Sequence, residues 1–327
     1  MGNLYDTIAD YDNLLLAYLK AIRGKRQKRD VMRFNQDFSE NMNRLLCDIK
    51  EEKVEVGDYH YFYISDPKRR KICAAPLRER ILHHAIMNVC HPIFDRNLIA
   101  TTYATRKGKG QYQALNELKS KLGYYKVAVK LDYRKYFDSI DHETLKVILR
   151  RLIKDSRLLA LFDKIIESYC SAPGRGLPIG NLTSQYMANL YLSTLDHVMK
   201  EQLRVPVYVR YMDDIVMLFE NRDKAKAAVD FIMNYSNDNL KLTLKPPIFC
   251  RCRDGVNFLG YKVMPHYLLL NGRSKRRFRT RLRYCQSNLA LCRWTEREYF
   301  NHIVPLMAFA IHAQSWKYRK ECMKILG

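Results

Sequence analysis

No run of apolar residues in this chain approaches the roughly 20 needed to cross a bilayer, and no basic amphipathic segment stands apart as a surface anchor. The opening MGNLYDTIAD has no apolar leader core, and Gly2 lacks the Ser or Thr that completes a lipidation site. The expectation is a cytoplasmic chain that touches no membrane. Paired cysteine spacing is missing too. The nine cysteines are scattered, which suits reduced thiols, and Cys250 and Cys252 form the only close pair. A C-x-C pair alone is a poor metal signal, so a structural role is expected for both. There are no internal repeats and no low-complexity linkers. Above all, acids are scarce: 34 Asp+Glu stand against 57 Lys+Arg, a formal charge of +23. Such an imbalance points to a polyanion as partner. With 327 residues and 47% hydrophobic content, the chain is globular and long enough for one large domain or two to three subdomains.

Against that scarcity, two adjacent acids in an apolar setting stand out: Asp213 and Asp214 within VPVYVRYMDDIVMLF. Strand–turn–strand is expected there. Upstream, YYKVAVKLDY alternates and reads as a buried strand closing on Asp132. Asp141 is expected to cap the helix HETLKVILRRL, and Asp138 to be a loop residue. Further helices are expected over 3–20, 33–50, from Pro76, from near Gln111, over 157–170, continuously over 181–203, and over 222–238. DYHYFYISD and RRKICAA read as strands joined by a turn at Asp66-Pro67, and LKLTLKP and GVNFLGYKVMP as strands near the end of the sheet region. After about residue 270 the chain turns helical and very basic.

From 124 to 245 the order is therefore β, helices, β-turn-β, helix, β. This is the β-α-β-β-α-β arrangement of a ferredoxin-like antiparallel sheet, an α+β fold. Its first strand lies beside the hairpin, so Asp132 can approach Asp213 and Asp214. Three carboxylates so close repel one another unless cations balance them. Mg²⁺ takes oxygen ligands, and two such ions about 3.5–4 Å apart stabilise both the attacking and the leaving oxygens of a phosphoryl displacement. A basic surface for a nucleic acid and one acidic focus for metal suit that chemistry.

The motifs then resemble those of reverse transcriptases. YMDD after a strand, preceded by VAVKLDYRKYFDSID, resembles the family's palm signature. RRKICAAPLRERILHHAI and YATRKGKGQYQAL are similar to its two fingers motifs. GLPIGNLTSQYMANLYL, LKLTLKP and VNFLGY continue the family's order. Within the family, Ile179-Gly180 followed by Ser184-Gln185 resembles the enzymes of diversity-generating retroelements of bacteria and phages. Retron enzymes are the nearest competitor, although their Val-Thr-Gly element is not found. A defence-associated reverse transcriptase and a non-catalytic, maturase-like RNA-binding scaffold stay open as further readings of the same fold. Neither an RNase H nor an intron endonuclease domain is expected within these 327 residues.

The resemblance implies a right-hand polymerase with helical fingers (1–125, with 142–180 contributing), a ferredoxin-like palm (126–264) and a helical thumb (265–327). It implies RNA-templated DNA synthesis from a DNA or RNA primer and dNTPs, error-prone at template adenines. The ions would be two Mg²⁺, with Mn²⁺ a substitute, held by Asp132, Asp213 and Asp214. A small helical accessory protein oligomer is the implied partner. Arg106 matches the arginine that grips the triphosphate, a task its planar fork suits. Lys107 and Lys109 serve either phosphate or solvent, and Gly108 and Gly110 either a phosphate approach or an ordinary turn. Phe137, rather than Tyr136, is the expected ring against a 2′-hydroxyl. Ile179 stands where many relatives have glutamine, and losing that polar contact weakens selectivity. Gly180 and Gln185 belong to the same nucleotide-site motif. Lys245 is the candidate donor of a proton to pyrophosphate, and Phe258 to Tyr261 resemble a primer grip. RSKRRFRTRLR, with seven basic residues and no acid, is expected to track a nucleic-acid backbone or meet an acidic protein. The run KAIRGKRQKR offers the same choice.

Overall fold

A computed structural model describes residues 3–65 and 69–324. The expected turn at Asp66-Pro67 lies outside the described residues. The chain divides into two compact units: 1–100, 133–202 and 231–245 form the first, and 101–132, 203–230 and 246–327 the second.

The first unit is mostly helical. Its centre is the helix Leu77–Arg96, whose Ile81, Leu82, Ala85, Ile86, Cys90 and Phe94 are all buried. The helix Tyr11–Ala21 packs along it with Leu14 and Ala17, and Phe94 meets Phe162 at 6.1 Å between ring centres. One two-stranded hairpin, β1 (His60–Ser65) with β2 (Arg69–Ala74), completes the unit's regular structure among the described residues.

Three expected helices are broken, each for a local reason. The first divides at Asp10, whose carboxylate caps the second piece by accepting from the N–H groups of Asp12 and Asn13. The second comprises Arg29–Gln36 and Phe38–Lys50, with Asp37 leaving helical geometry between them. The third breaks after Tyr191, where Ser193 Oγ bonds back to the Leu190 carbonyl at 2.6 Å, and then loosens into a π-turn over Val198–Gln202.

The second unit holds a four-stranded sheet of β3 (Val127–Leu131), β4 (Val207–Tyr211), β5 (Asp214–Phe219) and β6 (Ile248–Arg251). Its order is β4-β5-β3-β6 with every pair antiparallel, which is the ferredoxin-like sheet expected from the sequence. The outer strand corrects one expectation. LKLTLKP forms no strand; Leu240, Leu242 and Leu244 bury alternately while the backbone makes a single bridge, Tyr133 to Leu244. The fourth strand begins only after Pro246 and Pro247, which lack ladder donors. Ala128, Val207, Val209, Val216 and Leu218 share one buried cluster with Leu115 and Leu118 of the helix Gln111–Leu122. The same cluster takes in the small meander β7 (Val256–Phe258), β8 (Tyr261–Val263) and β9 (Leu268–Leu270), and Phe278 and Leu282 of the basic helix Gly272–Ala290. The helices Glu296–Ile311 and Trp316–Lys324 follow. Among the described residues no helix is long and apolar enough to cross a membrane.

Candidate active site

The sheet register assembles the acids. Leu131 of β3 pairs with Ile215 of β5, so one further step sets Asp132 opposite Asp214. On its other flank Asp214 pairs with Tyr211 of β4. Facing residues of antiparallel strands lie about 4.5–5.5 Å apart at Cα and point to the same face. Tyr211, Asp214 and Asp132 therefore form a row across three strands, half-buried at the sheet's end. The row behind is Val209, Val216 and Lys130.

Asp213 sits in the two-residue turn that joins β4 to β5. Met212 before it takes a left-handed φ of 56° and Asp213 does not, the pattern of a type II′ turn. That position normally favours glycine, so something must hold Met212 there. Arg210 does part of this: its Nη1 donates to the Met212 carbonyl at 2.9 Å. Arg210 is itself 0% exposed. Its backbone is pinned on both sides, N–H to the Thr101 carbonyl at 3.1 Å and carbonyl to the Tyr103 N–H at 3.0 Å. Sequence reasoning passed over Arg210, although a charged residue inside VYVRYM was a signal. It also passed over Lys130, whose Nζ lies 2.9 Å from Asp214 Oδ1.

An oxygen-only set with two carboxylates on facing strands suits a hard divalent cation. Among the described residues no three His, Cys, Asp or Glu side chains stand close enough to enclose an ion as they lie. Lys130 brings a positive charge to Asp214.

The segment leading to Arg106 belongs to the same unit and runs beside β4, with Thr102 bridging Arg210. Arg106 Nη1 donates to the Thr102 carbonyl at 3.1 Å. Lys109 lies 5.1 Å over the Tyr103 ring, and Lys107 is exposed. Gly108 and Gly110 have φ of 68° and 123° with nothing near a notional Cβ, so backbone conformation rather than crowding asks for glycine there. Phe258 and Tyr261 are core residues, and the Tyr261 hydroxyl donates to the Phe309 carbonyl at 2.7 Å. Leu259 and Gly260 form the turn between them, both at positive φ. Cys250 is half-buried and Cys252 buried, and burial pushes both thiols up, Cys252 to about 12.

The remaining candidates lie in the first unit. Phe137 is half-buried in the turn of helix Tyr136–Ser139, and its carbonyl accepts from Leu177 N–H at 2.8 Å. Tyr136 is committed to the core, with its hydroxyl on the Ala188 carbonyl and its ring against Tyr133. Asp138 lies in the same short helix rather than a loop, and burial raises its carboxyl. Asp141 caps the next helix as expected. Burial pushes its carboxyl up, but the Thr144 N–H, Lys241 and the Thr144 hydroxyl together bring it below the ordinary range. The Ile179 carbonyl accepts from Cys73 N–H at 2.8 Å, tying this loop to β2. Gly180 has φ 128°, and a Cβ there would lie 2.6 Å from the Cys73 carbonyl oxygen, so only glycine fits. Gln185 is exposed and Lys245 half-buried.

A sequence profile described as "Reverse transcriptase (RNA-dependent DNA polymerase)" matches residues 65–263, more than half the chain. Protein YkfC of Escherichia coli (strain K12) is 22% identical over 68% of this chain and 72% of its own length. The retron Ec73 reverse transcriptase of Escherichia coli is 27% identical over 46% of this chain and 51% of its own. Among solved structures, telomerase from Candida albicans, in complex with a fragment of telomeric RNA, is similar with a TM-score of 0.50 and 11% identity. It covers 83% of this chain, which spans 59% of it. That likeness shows the polymerase fold.

Proposed function

We propose, on the premise that this chain belongs to the reverse transcriptase (RNA-dependent DNA polymerase) family, that it extends a primer 3′-end with deoxynucleotides copied from an RNA template, at the carboxylates of Asp132, Asp213 and Asp214. The observation that carries this is the register that sets Asp132 opposite Asp214, beside the Asp213 turn. These carboxylates would hold the Mg²⁺ pair, or Mn²⁺ in its place, which when bound supplies charge stabilisation for displacement at the α-phosphate. Arg106 binds the triphosphate through its planar fork. In this reading Phe137 is the ring that excludes a 2′-hydroxyl, and Lys245 the donor of a proton to the leaving pyrophosphate. In this reading residues 1–125 with 142–180 are fingers, 126–264 palm and 265–327 thumb. The helix Gly272–Ala290 lays its seven basic residues of 273–283 along the template–primer backbone.

The finer reading is an enzyme of a diversity-generating retroelement, cytoplasmic in a bacterium or phage-infected cell. It would engage in mutagenic retrohoming with a small helical accessory oligomer. Ile179-Gly180 and Ser184-Gln185 support it. An isoleucine cannot make the hydrogen bonds of the glutamine it replaces, so discrimination at the nascent pair falls. The similarity to the retron Ec73 enzyme favours a retron role as the second reading. Homopolymer RNA templates with DNA primers, each dNTP and Mg²⁺, followed by product sequencing, test activity and subtype together. The expected result is deoxynucleotide incorporation with misincorporation concentrated opposite adenine. Accurate copying opposite adenine would remove the diversity-generating reading, and the sequence of RNA co-purified with the protein would decide between it and a retron.

A further inference from the structure

The acidic row has a positive charge of its own. Lys130 lies two residues before Asp132, so both side chains leave the same face of β3. Directly across β5 from Lys130 is Val216, and Asp214 is its diagonal neighbour, within reach of a long side chain. The ammonium closes that diagonal at 2.9 Å, with the two side chains only 22% and 30% exposed. Val209 and Val216 beside it are fully buried, so the pair is partly shielded from the water that weakens surface ion pairs. On the other flank Lys130 pairs with Ile248 of β6, a strand that carries no acid to draw the ammonium away.

An ammonium and a divalent cation make the same demand on a carboxylate oxygen. We propose that Lys130 is a built-in counter-cation of the acidic row. It holds Asp214 in place where neighbouring acids would repel it, and must release that carboxylate before a divalent ion is held there. Lys130 is thus a positioning residue that sets the ion concentration at which the row loads. The inference rests on the reading of Asp132, Asp213 and Asp214 as ion ligands. The exchange breaks an ion pair and forms a coordination bond, and the ammonium keeps its proton and turns to solvent.

Mn²⁺ binding to the full chain without nucleotide or primer, followed by the electron paramagnetic resonance of the free ion, tests this. Lys130→Met is expected to bind Mn²⁺ roughly two- to fivefold more tightly than the parent. Lys130→Gln should move the same way, whereas Lys130→Arg should match the parent. Asp214→Asn should bind more weakly, and adding Lys130→Met to it should bring no gain. In chelator Lys130→Met should melt below the parent and regain more on adding Mn²⁺, which a merely structural lysine would not produce. If Asp214→Asn weakens binding but neutral residues at 130 leave it unchanged, the counter-cation role falls and the ligand reading stands. If Asp214→Asn leaves binding unchanged, both fall.

Discussion

The two units each carry a hairpin, and the hairpins are built on opposite terms. In β4–β5 almost every residue is buried, the partner strand β3 fixes the register, and a buried arginine holds the turn. In β1–β2 the whole of β1 is exposed, with Tyr61, Phe62, Tyr63 and Ile64 all facing solvent. Two cross-strand cation–π contacts lie on it: Arg69 is 4.2 Å from the centre of the Tyr63 ring, and Lys71 is 3.9 Å from that of Tyr61. A one-residue slip in β4–β5 would turn Val209 and Val216 out of the cluster they share and move Asp214 to the other face. No comparable penalty guards β1, because both its faces are already wet. The hairpin that carries Asp213 and Asp214 is locked by burial, whereas β1 presents aromatic and basic surface to solvent.

That contrast can be broken by mutation. Arg210→Ala should have the largest effect, since it strips a hydrogen bond from the Met212 carbonyl and leaves a void. The expected loss is roughly 3 kcal/mol in a urea titration, with polymerisation falling further than stability explains. Gly180→Ala comes next. It forces a Cβ into the Cys73 carbonyl at a φ that L-residues avoid, and should cost about 2 kcal/mol. Acid should reveal a smaller, local effect at Asp141. Its carboxyl titrates lower in the folded chain than in the unfolded one, so its contribution is present above the unfolded value and lost as pH falls through the folded one. Asp141→Asn should flatten that part of the stability profile at the acid end. Tyr63→Ala should do least, about 0.5–1 kcal/mol for one exposed cation–π contact. A loss as large as that of Arg210→Ala would mean that β1–β2 is locked after all.

Much of this was legible in the chain, for identifiable reasons. The alternation of KVAVKLD and the apolar runs around Met212-Asp213 are period-2 signals at sites buried on at least one face, so β3, β4 and β5 and their pairing followed. β6 was hidden because it is an edge strand: Ile248 is 59% exposed and no inside–outside alternation marks it. LKLTLKP misled for the opposite reason, since its leucines alternate inward without a ladder. The helix breaks at Asp10 and after Tyr191 depend on single side chains bonding to nearby backbone, which competes with helix continuation too locally for periodicity to register. Lys130 and Arg210 were missed because their roles lie across strands. The partner of Lys130 is 84 residues away and the carbonyl held by Arg210 exists only once the turn has formed.

Primer extension is proposed at the end of this sheet. Single-nucleotide incorporation on an RNA template with Mg²⁺, comparing the parent chain with a folded Asp132→Asn, tests it most directly. Incorporation is expected from the parent, with a fall of about a thousandfold or more in the variant, the loss of several kcal/mol of ion-held stabilisation. Incorporation by Asp132→Asn at the parent rate would contradict it.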